Sequence, residues 1–387
     1  MYRRVAGVGL ALTMLVAGCG HSSSTSQGPA TSSTPVPSVA TSSTRAASAT
    51  SQAARDLPDP HTLRGLTEVP ELPDPKPVEG SSAQKLPVTV TDVEGNKVTI
   101  KSTSRILALD LYGTLSRTLI GLGLGDKIVG RTVSSTEKQL HDRPVVTENG
   151  HVLNVEAVAG LKPSVIIADR SVGPKEALDQ LRKSGIPVVL VDPHRSVGST
   201  PQLIRTIADA VGKPDAGEAL VKRTQEQIDQ AKKQIAAWKP AKPMRVAFLY
   251  VRGNAGVFFI LGSENGASEL IQGVGADDVA SDKGITTLVP ANAESLVSIN
   301  PDAIFVMRDG LASTGGMKGL LARAGVANTT AGRKQRVISI PDGISLSFGP
   351  QTGEVLTAVA KALYGVKCCL LYTSDAADDM QGGDLGG

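Results

Sequence analysis

Apolar runs of strand length alternate with helical patterns along most of the chain. The runs that predict strands are residues 106–109, 165–168, 188–191, 246–249, 304–307 and 337–340. Ahead of them, residues 88–91 and 97–100 alternate apolar and polar positions around Glu94-Gly95-Asn96, which predicts a β-hairpin. Strands that alternate with helices indicate α/β units with parallel strands. We therefore expect an α/β fold.

One segment of the chain occurs twice, at an offset of 138 residues. The first copy begins Asn154-Val-Glu156 and the second begins Asn292-Ala-Glu294. In each copy an asparagine can cap a short helix, and a glutamate lies in the first turn, where the helix dipole favours an anion. A proline then ends the helix before a buried strand. Two such copies predict two similar lobes.

A long helical pattern over residues 214–239 separates the two lobes, which span residues 86–213 and 243–366. Asp215 can cap the start of this helix, and Pro240 ends it. A single helix that joins two Rossmann-like lobes makes a stiff connector. Ligands of open α/β sheets bind beyond the carboxyl ends of the strands, so two lobes that face each other predict a cleft.

The start of the chain has the pattern of an exported lipoprotein. Arg3 and Arg4 precede a short apolar run, and small residues precede Cys19. This pattern predicts a signal peptide over residues 1–18 and lipidation of Cys19, with a plain secretory signal as the alternative. Residues 19–85 are rich in Ser, Thr, Ala and Pro and predict a disordered stalk. We expect a protein anchored by lipid to the outer face of the cell membrane, without structural disulfides.

The last residues, 368–387, do not continue the α/β pattern. The string from Cys369 is similar to the translated read-through of a transposon sequencing adapter, in which case Cys368 and Cys369 have no function. A vicinal cysteine pair that binds a metal or acts in redox chemistry is the alternative.

Charge and composition exclude several classes of protein. The chain has 40 Lys and Arg against 37 Asp and Glu, a net charge of +3, so nothing in the balance points to nucleic acid. Hydrophobic residues make up 41 % and charged residues 20 %, which is typical of a soluble globular protein rather than a multi-span membrane protein. The sequence contains no phosphate loop of the Walker type, no Gly-x-Ser-x-Gly elbow and no His-Glu-x-x-His motif.

Aromatic residues are scarce, at 3 % of the chain, yet four of them fall close together. They are Phe248, Tyr250, Phe258 and Phe259. This cluster indicates either the core of a hairpin or the wall of a site for a flat ligand. In the first lobe, the repeat offset makes Tyr112 the counterpart of Tyr250, and Tyr112 is therefore a possible competitor for a metal.

A histidine and a tyrosine are the candidate metal-binding residues. His151 lies in a turn three residues before the Asn154 cap, in the loop zone that lines the predicted cleft. Tyr250 ends a predicted strand, and Arg252 can favour its phenolate, a hard ligand that suits ferric iron and is a known axial ligand of haem. Met307 ends the strand of the second repeat and is apolar lining, a weak thioether ligand or core filler. A surface histidine and a core tyrosine are the alternatives.

The cysteine motif at the start, the Asn154-Val-Glu156 repeat and the long linking helix together resemble the periplasmic-binding-protein family for ferric siderophores, cobalamin and haem. The resemblance covers residues 86–365. Within that family, Asn149-Gly-His151-Val-Leu-Asn154 and Phe248-Leu-Tyr250-Val-Arg252-Gly253 resemble the haemin-binding lipoproteins of actinobacterial haem ABC importers.

This resemblance implies that His151 and Tyr250 are the axial iron ligands and that Arg252 hydrogen-bonds the tyrosine oxygen. The further residues expected at the haem pocket are Met307, Phe258, Phe259, Tyr112 and Tyr364. A second aromatic, which some members carry near Thr287, is missing here. This absence loosens the fit at the pocket edge without affecting the ligands.

The wider family docks on its permease through an acidic residue on each lobe, which implies Glu156 on the first lobe. On the second lobe Glu269 is the nearest match, and Gln272 and Glu294 are the alternatives. The helix dipole explains first-turn acids such as Glu156 and Glu294 without any partner.

The expected function is that of a monomeric, lipid-anchored protein that captures ferric haem and delivers it to an ABC permease, without enzymatic activity. A ferric-siderophore or cobalamin binder is the alternative in the same class. A metal-dependent surface enzyme is less favoured, because a hydrolytic zinc site normally needs three protein ligands and the sequence offers His151 no companion. A structural or adhesive surface lipoprotein would leave the cleft without a ligand.

Overall fold

The computed structural model describes residues 57–80, 84–253 and 256–366. The predicted signal peptide, Cys19 and the tail over residues 368–387 lie outside these ranges, as does the first part of the predicted stalk.

The described residues form strands and helices in an alternating order. The strands are β1 (Leu66–Glu68), β2 (Val88–Thr91), β3 (Lys97–Ile100), β4 (Ile106–Leu109), β5 (Ile128–Gly130), β6 (Thr147–Glu148), β7 (Val152–Leu153), β8 (Val165–Ala168), β9 (Val188–Leu190), β10 (Arg245–Arg252), β11 (Val257–Ile260), β12 (Asp277–Asp278), β13 (Val289–Pro290), β14 (Ala303–Met307) and β15 (Val337–Ile340). The helices are α1 (Thr114–Gly121), α2 (Val155–Gly160), α3 (Lys175–Lys183), α4 (Thr200–Ala210), α5 (Pro214–Trp238), α6 (Ala267–Gly273), α7 (Ala293–Ile299), α8 (Arg308–Ser313), α9 (Gly316–Leu321), α10 (Thr330–Lys334), α11 (Asp342–Ser345) and α12 (Thr352–Tyr364).

The first lobe is built on a parallel sheet in the order β5-β4-β8-β9. Every residue of β4 and β8 is buried, as expected for strands with both faces covered. Both strands coincide with the segments predicted from the apolar runs. The predicted hairpin is also confirmed, because β2 and β3 pair antiparallel over the full predicted lengths.

The second lobe is built on a sheet in the order β1-β15-β14-β10-β11-β13, and β12 also pairs with β10. Strands β1, β15, β14 and β10 run parallel to one another, whereas β11 runs antiparallel to both β10 and β13. The predicted α/β fold with two lobes is confirmed. The second sheet is mixed rather than parallel, because the chain turns back after β10 and pairs β11 directly with it.

The two copies of the repeat form equivalent helices, α2 and α7. The Asn154 side chain accepts a hydrogen bond from the Ala157 N–H at 2.9 Å, and the Asn292 side chain accepts one from the Ser295 N–H at 2.8 Å. Each helix is followed by a buried strand, β8 or β14. The repeat therefore gives the two lobes the same local structure, as predicted.

The predicted linking helix is α5, which packs against α4 in the first lobe and α12 in the second. Glycine allows the second contact, since a Cβ on Gly353 of α12 would lie 2.4 Å from the backbone of Gln227 on α5. The helix begins at Pro214, so Asp215 lies in its first turn rather than capping it as predicted. Within the described ranges, no helix has both the length and the apolar character needed to cross a membrane.

The prediction of a disordered stalk over residues 19–85 is wrong for its last part, residues 57–80. We call residues 63–79 the strap, because they pack along both lobes. β1 pairs with β15, and Val69 is completely buried in the core of the second lobe. Val78 is buried in the core of the first lobe. The proline-rich composition suggested disorder, but the few apolar residues lie where both lobes can bury them.

Polar contacts also join the strap to both lobes. In the first lobe, the Asp74 carboxylate accepts the backbone N–H groups of Lys138 and Gln139 at 2.8 and 2.9 Å. In the second lobe, Arg308 Nη1 pairs with Glu71 Oε1 at 2.7 Å. The folded body therefore begins well before the boundary at residue 86 that the sequence pattern suggested.

Candidate ligand-binding site

His151 lies on the rim of the first lobe, directly after a tight turn between β6 and β7. Asn149 and Gly150 in this turn have positive φ angles of 48° and 88°. The His151 carbonyl accepts a hydrogen bond from the Gly173 N–H at 2.9 Å, and Gly173 belongs to the loop after β8. His151 is exposed, and its imidazole has no hydrogen-bond partner among the described residues. The ring is therefore available to a ligand at the carboxyl edge of the sheet.

A cap and a side-chain bond brace the hairpin that carries His151. Asn154, which caps α2, also donates from Nδ2 to Glu148 Oε1 at 2.8 Å. Glu148 and Asn154 flank the turn, so this bond ties the two ends of the hairpin together. The sequence thus places an unpartnered imidazole on a braced turn.

Tyr250 lies on β10 in the second lobe, two residues before the strand ends. The strand runs to Arg252, beyond the apolar run over residues 246–249 from which it was predicted. Tyr250 pairs with Phe259 across the β10–β11 hairpin, so both rings lie on one face of the sheet. Tyr250 is half-buried and packs against the core cluster that contains Phe248.

The prediction that Phe258 lines the same pocket as Tyr250 is wrong. Phe258 pairs with Val251, and both side chains lie on the opposite face of the sheet, in a separate core cluster. Phe258 is 7 % exposed, and Arg323 lies over its ring, with Cζ 5.5 Å from the ring centroid. Successive strand residues alternate between faces, so of these two phenylalanines only Phe259 can share a surface with Tyr250.

Arg252 lies on the same face as Tyr250 and covers its ring. Its Cζ is 5.1 Å from the Tyr250 ring centroid, within the range of a cation–π contact. Its Nη2 donates to Asp342 Oδ1 at 2.5 Å and lies 3.4 Å from Met307 Sδ. Burial lowers the pKa of the Arg252 guanidinium, but the Asp342 carboxylate and the Tyr250 hydroxyl more than offset this, and the pKa is raised overall. The structure thus brings together Tyr250, Arg252 and Met307.

Tyr112 is the first-lobe counterpart of Tyr250, in a different electrostatic setting. Arg195 lies over its ring, with Cζ 5.6 Å from the centroid. The Arg195 guanidinium forms an ion pair with Asp169 and lies 3.7 Å from Asp110 Oδ2. Burial and the charge of Asp169 raise the pKa of the Tyr112 hydroxyl, although Arg195 opposes the shift. Tyr112 is therefore a poor source of phenolate.

The two carboxylates beside Tyr112 form a buried pair at the carboxyl ends of β4 and β8. Asp110 and Asp169 are both completely buried. Burial, followed by the charge of Asp169, raises the pKa of Asp110 to about 7. Asp110 Oδ2 accepts the Thr114 N–H at 2.9 Å, while Oδ1 has no partner in the described part of the chain. This pair is missing from the sequence-based set of site residues, although each acid directly follows a predicted strand.

Tyr364 belongs to the core rather than to the predicted pocket. Its side chain is completely buried at the end of α12, and its hydroxyl donates to the Val274 carbonyl at 2.6 Å. Burial, together with the nearby Asp277, raises its pKa. A side chain without exposed surface and with a satisfied hydroxyl cannot contact a ligand, so the prediction for Tyr364 is wrong.

The acidic candidates for permease docking fall into two groups. Glu156 and Glu294 are exposed in the first turns of α2 and α7. Glu269 lies in the first turn of α6, but it is partly buried, and its Oε2 accepts the Val197 N–H from the first lobe at 3.1 Å. The docking role of Glu269 stays a prediction, and this residue contacts the other lobe, whereas the side chain of the alternative Glu294 is exposed.

His151 is not in contact with the group around Tyr250. No hydrogen bond, ion pair or ring contact joins them within residues 57–366 as described, and each lies at the carboxyl edge of its own lobe. Asp342 is the member of the Tyr250 group that sequence reasoning missed. An acid two residues after the predicted strand 337–340 was a usable signal, since ligands of such sheets meet the carboxyl ends of strands.

A groove of about 690 Å³ lies between the strap, α5 and α12. Its lining contains none of the predicted site residues and is formed by side chains such as Leu72, Gln234 and Lys361. The chemistry of the candidate site thus lies elsewhere, at the carboxyl edges of the two sheets.

Comparison with known proteins identifies similar chains of the same architecture. A family model described as periplasmic binding protein matches residues 111–343. A crystal structure of the haem-binding protein HmuT is 49 % identical, with a TM-score of 0.78, over 79 % of this chain and 99 % of that one. The periplasmic haem-binding protein RhuT from Roseiflexus is 32 % identical, with a TM-score of 0.64, over 68 % of this chain and 99 % of that one.

The curated relatives share less sequence identity with this chain than these two structures do. The uncharacterised ABC transporter substrate-binding lipoprotein YvrC of Bacillus subtilis is 27 % identical over 280 residues, which are 72 % of this chain and 86 % of that protein. A cobalamin-binding protein of Halobacterium salinarum is 24 % identical over 299 residues, which are 76 % of this chain and 78 % of that protein.

Proposed function

This chain belongs to the periplasmic-binding-protein family, and we propose that it is the haem-binding component of an ABC importer. In this role it captures ferric haem outside the cell membrane and delivers it to a permease. The observation that carries the proposal is the placement of Tyr250 beneath Arg252 at one carboxyl edge, with the unpartnered His151 at the other. The similarity to HmuT over nearly all of that chain supports the same ligand.

His151 and Tyr250 are the proposed axial ligands of the haem iron, one from each lobe. An imidazole with no other partner can coordinate iron without breaking a bond within the protein. The Arg252 guanidinium lies over the Tyr250 ring and so places a positive charge beside an anionic oxygen that coordinates ferric iron. An anionic phenolate stabilises ferric over ferrous iron, so one-electron reduction of the iron by an external donor is the proposed route to release.

The flat face of haem would meet apolar groups around these ligands. Phe259 shares a sheet face with Tyr250, and Met307 lies beside Arg252. Both side chains are partly exposed and so can contact a ligand. Tyr112 remains a proposed contact of the porphyrin, although its raised pKa makes it a weak competitor for the iron.

Delivery requires a permease, and the proposed docking residues are Glu156 and Glu294. They occupy equivalent positions in the two lobes, both exposed and both in the first turn of a capped helix. An acid on each lobe would meet basic residues on a permease. We further propose a monomer that is anchored through Cys19, has no nucleic-acid partner and performs no covalent chemistry.

The proposal is tested by titrating the purified protein with ferric haemin and following the absorbance. The expected result is a saturable shift of the Soret band. A protein that gives no saturable shift would contradict the haem function. If binding occurs but the double variant His151→Ala, Tyr250→Ala leaves the spectrum unchanged, the ligand assignment is wrong while the function stands.

The second candidate ligand is cobalamin, because cobalamin-binding proteins are among the relatives. The same titration with cobalamin, and with a ferric siderophore, separates the alternatives. Saturable binding of either compound, with no response to haemin, would replace haem as the ligand. In that case His151 and Tyr250 would be incidental to binding.

A further inference from the structure

Asp342 begins α11, and only Pro341 separates it from the end of β15. Strands β10, β14 and β15 are neighbours in the sheet, so the residues at their carboxyl ends meet at one edge. Asp342 Oδ1 accepts a hydrogen bond from Arg252 Nη2 at 2.5 Å, and Oδ2 accepts the backbone N–H of Asp309 at 2.9 Å. The carboxylate is therefore held on one side and anchors the guanidinium on the other.

We propose that Asp342 is a positioning residue that holds the Arg252 guanidinium over Tyr250. By fixing this charge, Asp342 controls how strongly Tyr250 binds ferric iron. The inference rests on the proposed haem function and adds a residue to it, one that acts through Arg252.

The space around Arg252 is shaped for this arrangement. A Cβ on Gly310 would lie 2.5 Å from Arg252 Nη1 and 2.4 Å from the Val251 carbonyl oxygen. Any side chain at position 310 would therefore displace the guanidinium or the strand. Gly310 lies on α8, the helix whose Asp309 N–H binds Asp342. The same helix thus makes room for the guanidinium and fixes its anchor.

The two terminal nitrogens of the Arg252 guanidinium differ in their hydrogen bonding. Nη2 is directed at Asp342 and Met307 Sδ, whereas Nη1 has no hydrogen-bond partner among the described residues. A charged nitrogen without a partner is costly at a site that is only partly exposed, where the Arg252 side chain keeps 32 % of its surface. Anchoring Nη2 to Asp342 leaves Nη1 as the donor for an anionic oxygen that arrives with the ligand.

Removing the charge of Asp342 separates positioning from a purely structural role. Asp342→Asn keeps the shape of the side chain and an oxygen that can accept the Asp309 N–H. It loses the charge-assisted bond that holds Arg252, which is the stronger kind of hydrogen bond. Asp309→Asn is the matched control, since Asp309 is an exposed acid at the same corner, and only its backbone contacts Asp342.

The experiment is a double-mutant cycle on haem dissociation, measured with haemin-loaded full-length protein and an excess of a haem-scavenging protein. Asp342→Asn is expected to speed dissociation by about tenfold. It should also shift the ferric/ferrous midpoint potential, whereas Asp309→Asn should leave it unchanged. In the Arg252→Ala background, Asp342→Asn should change the rate by less than about twofold, because its partner is already gone.

Two results would overturn the inference. One is an effect of Asp342→Asn that persists in the Arg252→Ala background, and the other is an equal effect of Asp309→Asn. If Asp342→Asn does not fold, Asp342→Glu enters the same cycle, since a longer acid shifts the guanidinium but keeps the charge pair. A wild-type protein that binds no haemin would instead contradict the proposed function, so the two failures are distinguishable.

Discussion

Tyr112 and Tyr250 occupy corresponding positions in the two lobes, and each lies beneath an arginine. The guanidinium Cζ is 5.6 Å from the ring centroid at Tyr112 and 5.1 Å at Tyr250. The charge of Arg195 above Tyr112 is compensated by two buried carboxylates, whereas Arg252 above Tyr250 is paired with Asp342 alone. One guanidinium faces two carboxyl groups beside Tyr112, whereas the charges of Arg252 and Asp342 balance beside Tyr250, so an excess of acid that disfavours the phenolate is present at only one of the two hydroxyls.

Replacing each tyrosine by phenylalanine tests this asymmetry. Tyr250→Phe is expected to lower haemin affinity by more than about tenfold, since even the loss of an outer partner of a metal ligand costs about 10–100-fold. Tyr112→Phe should change affinity by less than about threefold, because burial and Asp169 raise the pKa of this hydroxyl and disfavour the phenolate. Absorbance titration with haemin measures both constants. A larger loss for Tyr112→Phe than for Tyr250→Phe would reverse the assignment of the ligand.

The buried pair Asp110 and Asp169 predicts a pH-dependent stability. The folded-state pKa of Asp110, about 7, lies above its ordinary value of 3.8, so the folded protein binds a proton more tightly than the unfolded chain. Stability is then highest below the unfolded pKa and falls as the pH rises from about 4 through about 7. Asp110→Asn removes this titration. Between pH 5 and pH 8 the wild type should therefore lose on the order of 2 kcal/mol more unfolding free energy than the variant.

Urea unfolding at pH 5 and pH 8 measures this difference, with Asp142→Asn as the control. Asp142 is an exposed acid of the same lobe, so its substitution should leave the pH dependence of the wild type in place. The two buried carboxyls titrate as a pair, and Asp169→Asn is expected to act in the same direction. If Asp110→Asn and the wild type lose equal stability between the two pH values, the buried pair carries no proton near neutrality.

The fold was predictable wherever the hydrophobic pattern is local. The strands 106–109, 165–168 and 337–340 coincide with β4, β8 and β15, because each is a short, mostly apolar run bounded by polar residues or proline. The strap was not predictable in this way. Val69 and Val78 lie in a proline-rich segment, and their burial depends on cores that are assembled from distant parts of the chain.

The candidate site was likewise predictable only where the positions of its residues follow from the local pattern. Tyr250 and Arg252 are two residues apart on one strand, so alternation alone places both on one face. The roles of Phe258 and Phe259 depend on the register of the β10–β11 hairpin, which the sequence pattern left open. Asp342 is 90 residues from Arg252 along the chain, and the two meet only because β10, β14 and β15 are neighbours in the sheet.

The strap should contribute to the stability of the whole fold. Val69→Ala removes two methyl groups from a completely buried position and is expected to lower the free energy of unfolding by about 2 kcal/mol. Leu66→Ala is the matched control, because Leu66 lies on β1 but is 38 % exposed, and its substitution should cost less than about 0.5 kcal/mol. Urea unfolding curves compare the two variants. Equal stabilities would show that the strap is only loosely attached.

The docking assignment predicts a loss of transport without a loss of binding. Glu156 and Glu294 are exposed, and neither is a member of the Tyr250 group, so the double variant Glu156→Gln, Glu294→Gln should bind haemin with unchanged affinity. Haem-dependent growth of cells that rely on this protein should fall, because a neutral amide cannot pair with basic residues of a permease.

Glu264→Gln is the control, because it removes an exposed acid of the second lobe that lies outside both repeat helices. It should leave growth unchanged. Normal growth with the double variant would contradict the assignment, and a parallel loss of haemin affinity would show that the substitutions act on the ligand site instead. Glu269→Gln adds a further comparison. Its amide oxygen can still accept the Val197 N–H, so growth should be retained if Glu269 has only the interlobe role that its contact indicates.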